Sequence, residues 1–143
     1  MSPLESDLND ANTLIQHFKL DEAQSLLASI LGNETASSNV RADAYYLLGL
    51  SVEIDPSRGL EDECGLSFYR QALAENPDHL WANYAIISTY GLSPPQHQNF
   101  ELFCNAVRLL SNRSAELDSD VVKFVAERWN EYGVPDGDKR VRS

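Results

Sequence analysis

The chain has 143 residues, 43% of them apolar and 9% aromatic, which suits one domain with a sizeable core and is too apolar for a disordered polymer. Twenty-two acidic side chains face 11 Lys and Arg, a net charge of −11 that repels phosphate backbones, speaks against direct nucleic-acid binding and would speed encounter with a basic partner. There is no apolar run of about 18 residues, and Met1-Ser-Pro-Leu-Glu-Ser-Asp7 has neither the basic nor the apolar part of a secretory signal, so the expectation is no membrane and a cytoplasmic, reducing setting.

Helical periodicity dominates from the first residues. Leu4, Leu8, Ala11, Leu14, Ile15 and Phe18 recur at three- and four-residue steps, the apolar stripe of a first helix. Asp21 and Glu22 open a second helix, acids in the first turn suiting its dipole. Ala23, Leu26, Leu27, Ile30 and Leu31 form its stripe, and Gly32-Asn33 stops it. Residues 34–39 read as a polar linker. A third helix runs from about Val40 to Ile54 with Ala44, Tyr45, Leu47, Leu48 and Val52 facing in, and Asp55-Pro56-Ser-Arg-Gly59 ends it.

Glu61-Asp-Glu63 starts a fourth helix whose stripe is Leu66, Tyr69, Ala72 and Leu73, closed by Asn76-Pro77. The fifth spans about His79–Tyr90 and ends at Gly91-Leu-Ser-Pro-Pro95. The sixth, about Gln96–Leu110, buries Phe100, Phe103, Ala106, Val107 and Leu110. The seventh, about Asp118–Tyr132, carries Val121, Val122, Val125, Trp129 and Tyr132, and residues 136–143 read as a frayed tail. Strand signals are nearly absent. The class is all-α, with about seven helices joined as antiparallel neighbours.

A search for chemistry returns little. His17, His79 and His97 have no partner four residues away, and no phosphate-cradling glycine loop, G-x-S-x-G or calcium-loop pattern occurs. Cys64 and Cys104 lie 40 positions apart with no metal-type pairing, which fits two packing residues with free thiols. Acidic neighbours would raise the Cys64 thiol pKa, the opposite of what a nucleophile needs. No catalytic residue, metal or cofactor is expected.

Self-comparison gives the architecture. Tyr69 and Phe103 are 34 residues apart, as are Ala72 and Ala106, with the same aromatic-x-x-Ala order in the second helix of a hairpin. In residues 42–77, Tyr45, Leu48-Gly49, Val52, Gly65, Tyr69, Ala72 and Pro77 stand where the motif of the tetratricopeptide repeat family has bulky, small and terminal residues, so this unit resembles that family. Gly49 and Gly65 would let two helices cross closely, and Ala72 would admit the next hairpin. The unit departs from the motif in having 16 residues from Gly49 to Gly65 where the motif has about 12, a longer turn through residues 55–63. Residues 80–113 and 4–37 resemble the motif more loosely, with Ile87 and Asn99 where small residues belong.

The resemblance implies a right-handed superhelical array in a single domain over residues 1–135: repeats at about 4–37, 42–79 and 80–113, and a capping helix at about 118–132. It also implies a concave groove lined by Leu8, Asn12, Asp43, Tyr46, Leu50, Glu53, Trp81, Tyr84 and Ser88, with Glu5 beside them. Tyr46, Trp81 and Tyr84 are independently the aromatics left over once the packing stripes are assigned; their alternative role is packing against the terminal helix. The family's carboxylate clamp is not expected, because its positions here hold Leu8, Asn12, Leu47, Trp81 and Ala85, without a cation.

The expected function is therefore a non-catalytic adaptor or chaperone whose groove takes a basic or amphipathic segment of a partner protein. The alternative is an acidic inhibitor or immunity-type protein, since residues 1–80 carry 14 acids and 4 bases and could block a basic, nucleic-acid-binding site on a target. A self-associating scaffold, a homo-oligomer, is the third reading.

Overall fold

Every stripe of apolar residues above needs a second surface to cover it, and helix against helix is the only means this sequence offers. The computed structural model describes residues 3–55, 65–91, 96 and 98–134, and among these the protein is all-α, without strands. Its seven helices are α1 (Pro3–Gln16), α2 (Leu20–Leu31), α3 (Ser38–Glu53), α4 (Leu66–Glu75), α5 (Leu80–Tyr90), α6 (Phe100–Asn112) and α7 (Ser119–Glu131). Two compact units divide the chain, residues 1–82 and 83–143, with the boundary inside α5. The expected fourth-helix start at Glu61–Glu63, most of the turn before it, Cys64, the break at residues 92–95 and the tail at residues 136–143 lie outside the described residues.

In the first unit, Leu8, Ala11 and Ile15 of α1, Ala23, Leu27 and Ile30 of α2, and Ala44, Leu47 and Leu48 of α3 form one core. Their three- and four-residue spacing places each set on one helix face. Helix α3 packs against α1, α2 and α4, and it is buried at Ala42, Ala44, Leu47, Leu48, Gly49, Ser51 and Val52. A helix covered on so many sides needs small residues where neighbours come close. Ala42 meets Ala72 and Ala82 in a cluster of three buried alanines.

Polar groups fix the same arrangement. Ser37 caps α3 by accepting the Val40 amide at 3.2 Å. The buried Ser51 hydroxyl donates to the Leu48 carbonyl at 2.7 Å and accepts from Gln24 of α2 at 3.2 Å. Arg41 donates to the Leu31 carbonyl at the end of α2 at 2.9 Å and pairs with Glu75 of α4 at 3.2 Å, so one guanidinium ties three helices.

The closest approach is between Gly49 and Gly65. A Cβ on Gly49 would meet the Tyr69 ring at 2.5 and 2.7 Å and the Gly65 carbonyl oxygen at 3.1 Å. Gly65 has φ +83, and a Cβ there would strike the backbone of Gly49. Glycine is required at the first position by space and at the second by both space and conformation.

One stripe residue is corrected. Phe18 is 69% exposed, because the chain leaves α1 at Gln16 and Phe18 adopts φ 59. Its amide donates to the Ile15 carbonyl at 3.0 Å and that of Lys19 to Leu14 at 2.8 Å, a Schellman stop with phenylalanine where glycine is usual.

In the second unit, Phe103, Ala106, Val107 and Leu110 of α6 are buried, as is Val125 of α7. Tyr90 stacks on Phe103 at 4.4 Å, and Tyr132 meets Phe103 edge-on at 5.0 Å. The sixth helix starts later than expected from Gln96. Asn99 caps it by accepting the Leu102 amide at 3.0 Å, which leaves Phe100 in the first turn and 43% exposed rather than buried.

Three stability outcomes follow. Gly49→Ala is expected to cost about 1–3 kcal/mol by overpacking against Tyr69. Gly32→Ala, whose Cβ would have only ordinary contacts from 3.5 Å outward at φ −78, is expected to be neutral or to gain up to about 1 kcal/mol. Phe18→Gly is expected to stabilise by about 1 kcal/mol, relief of the left-handed strain exceeding the added unfolded-state freedom. Urea denaturation of the three variants measures all of these.

Candidate functional site

Within residues 1–82, a cleft of about 580 Å³ is lined by Leu8, Asn9 and Asn12 of α1, Asp43, Tyr46 and Leu47 of α3, and His79 and Trp81 at the start of α5. On each of α1 and α3 the lining residues sit within one turn, the spacing that places side chains on a common side.

The turn between α4 and α5 sets the far edge. Asn76 accepts the Asp78 amide through its side chain at 3.1 Å and the His79 amide through its carbonyl at 3.0 Å. This brings His79 to the position just before α5, where a side-chain acceptor can satisfy an unpaired amide of the first turn. His79 Nδ1 accepts from the Ala82 amide at 3.0 Å, and Nε2 lies 2.6 Å from Asp43 Oδ1. The hydrogen-bond pattern assigns the tautomer: Nδ1 accepts, so Nε2 carries the proton and donates to the carboxylate. One buried imidazole therefore joins Asp43 on α3 to the helix that carries Trp81.

The rest of the cleft is amphipathic. The Tyr46 ring lies 5.5 Å from the His79 ring and 6.0 Å from that of Tyr69. Trp81 is 43% exposed, and about half of the Asp43 side-chain surface, 51%, faces solvent. Among the described residues of the lining, Asp43 is in this tautomer the one formally charged group, and none is a lysine or arginine.

Five of the nine residues expected in the groove line this cleft: Leu8, Asn12, Asp43, Tyr46 and Trp81. Leu50 packs, half-buried, against the core of the first unit. Glu53 accepts a hydrogen bond from the hydroxyl of the buried Tyr69. Tyr84 rests on Phe124 of the terminal helix at 5.6 Å, the packing role that was its alternative, and the Ser88 hydroxyl donates to the Ala85 carbonyl at 3.1 Å. Glu5 is exposed on α1.

Asn9, Leu47 and His79 line the cleft without being among the nine expected groove residues. Leu47 serves both as core, at 8% exposed, and as cleft wall. His79 is corrected from an isolated histidine to a paired one, its partner lying 36 residues upstream. The usable signal was its place directly before the first apolar residue of α5, where caps occur.

Among the described residues, no three His, Cys, Asp or Glu side chains come together in a way that could hold a metal ion. Cys104 is a buried free thiol whose pKa burial pushes up, against a smaller lowering by Arg108. No helix among the described residues is long and apolar enough to cross a membrane. Compared with protein-family models, curated proteins and solved structures, the chain matches none.

Burial pushes the Glu53 carboxyl above its ordinary value of 4.5, and the Tyr69 hydroxyl opposes the rise. Tyr69→Phe, which removes the lowering cause, is expected to raise this pKa further in an NMR titration of the carboxyl carbon. Because folding raises the pKa, the associated stability is fully present below the unfolded value and is lost as pH rises through the folded one. Glu53→Gln is accordingly expected to gain on the wild type near neutral pH, the advantage closing as pH falls below 4.5. A wild-type carboxyl titrating at or below 4.5 would contradict this.

Proposed function

We propose that this chain is a non-catalytic, tetratricopeptide-like interaction module, an adaptor or chaperone acting in the cytoplasm, whose cleft in residues 1–82 takes a basic or amphipathic segment of another protein. The observation that carries this reading is the convergence of Tyr46, an exposed Trp81 and a half-exposed Asp43 in one cleft whose described lining has no lysine or arginine. Aromatic side chains with a polar edge contribute large contact area with little loss of rotamer freedom, which makes them common anchors for a bound chain.

The packing of α2 on α1, of α3 on both, and of α4 on α3 supports a succession of hairpins in the first unit. Gly49 and Gly65 of the crossing and Ala72 of the alanine cluster are the residues matched to small positions of the repeat motif, which supports this reading. Among the described residues of the cleft wall the charged group is the Asp43 carboxylate, which favours a positively charged ligand over a carboxylate terminus. The runner-up, an acidic inhibitor of a basic target, draws on the excess of 14 acids over 4 bases in residues 1–80.

Salt and side-chain truncation separate the two. In affinity capture from native lysate, one stoichiometric partner is expected to survive about 0.5 M salt, where charge attraction between exposed groups is largely screened. The same partner is expected to be lost from a Tyr46→Ala, Trp81→Ala double variant that keeps its helical circular dichroism. Binding that vanishes in salt yet persists in the double variant overturns the cleft reading and favours the acidic surface.

A further inference from the structure

Taking the binding cleft as its premise, we propose that Asp43, positioned by His79, forms a cation subsite that receives the side chain of an arginine or lysine on the bound segment, with Trp81 as an aromatic wall. The argument begins with the carboxylate. Asp43 lies on the cleft wall with half of its side chain open, yet it is not free to swing, because His79 holds Oδ1 at 2.6 Å. The same imidazole is anchored at its other nitrogen by the Ala82 amide at 3.0 Å, so its orientation is set by the backbone of α5. An acceptor held in place from behind loses little freedom when a donor arrives, and charge-assisted hydrogen bonds to a carboxylate are the stronger kind.

Charge complementarity supplies the class of ligand. The described residues of the lining hold one carboxylate and no lysine or arginine, and residues 1–80 carry 14 acids against 4 bases. A cation brought here meets the Asp43 carboxylate in a partly desolvated cleft, where an anion would meet repulsion. Tyr46 and Trp81 in the same lining add ring faces that attract guanidinium or ammonium groups. Leu8 and Leu47 complete the wall with apolar surface, which suits the aliphatic stem of such a side chain and an apolar neighbour on the same segment.

The test uses the full chain and small defined probes: N-acetyl-argininamide, N-acetyl-lysinamide, and N-acetyl-citrullinamide as the uncharged counterpart of the first. Binding is read from the shifts of the Trp81 indole N–H and the Asp43 and Tyr46 amides in nitrogen-15 NMR spectra. Saturable shifts with millimolar affinity are expected for at least one of the two cations, and a response roughly tenfold or more weaker for citrulline. Asp43→Asn is expected to weaken the cation by a similar factor. His79→Asn keeps a capping acceptor for α5 but cannot reach Asp43. It should leave the spectrum largely in place and still weaken the cation several-fold, which a merely structural role for His79 would not do.

Citrulline binding as well as arginine, an unchanged affinity in Asp43→Asn, or no saturable shift with either cation would each overturn the subsite. Loss of a captured partner in the Tyr46, Trp81 double variant alongside any of those three results would leave the cleft standing without its cation site. Retention of the partner in that variant strikes the cleft itself.

Discussion

Contact between the backbones of α3 and α4 at Gly49 and Gly65 is the constraint on which the first unit rests. No side chain separates the helices there, and the Tyr69 ring fills the space that a Cβ on Gly49 would need. With α4 this close, α3 is covered on that side. Ser51 and Arg41 tie it to α2, and its leucines share a core with α1. Asp43, Tyr46 and Leu47 of the same helix reach the cleft, so that its packing and its part in the cleft belong to one stretch of chain.

The opposite edge of the cleft depends on a different device. A turn closed by Asn76 delivers His79 to the start of α5, and the imidazole spends one nitrogen on the helix and the other on Asp43. A capping interaction, a local matter of satisfying an amide, thereby becomes a non-local link between two helices. The link joins a half-exposed carboxylate to the helix that carries a partly exposed indole.

Much of this was legible in the sequence because it is periodic. The number and order of the helices follow from three- and four-residue steps of apolar residues. The glycine pair and Asp43 come from the resemblance to the repeat motif, and Tyr46, Trp81 and Tyr84 are the aromatics left over once the stripes are assigned. What escaped was whatever depends on leaving the period or on distant partners. Phe18 continues the stripe numerically, but the chain has already turned left-handed by then. Phe100 falls outside the buried set because Asn99 caps α6 beside it. The pairing of His79 with Asp43 spans 36 residues and carries no local pattern, and neither does the hydrogen bond that Tyr69 donates to Glu53.

The central claim, that the working face is the cleft of residues 1–82, is tested most directly by amide hydrogen exchange on the free and partner-loaded chain. Added protection is expected along residues 8–12 and 43–47 and at residues 79–81. Protection that leaves these three stretches unchanged, and gathers instead on the exposed α2 positions Ser25, Ala28 and Ser29, would contradict it.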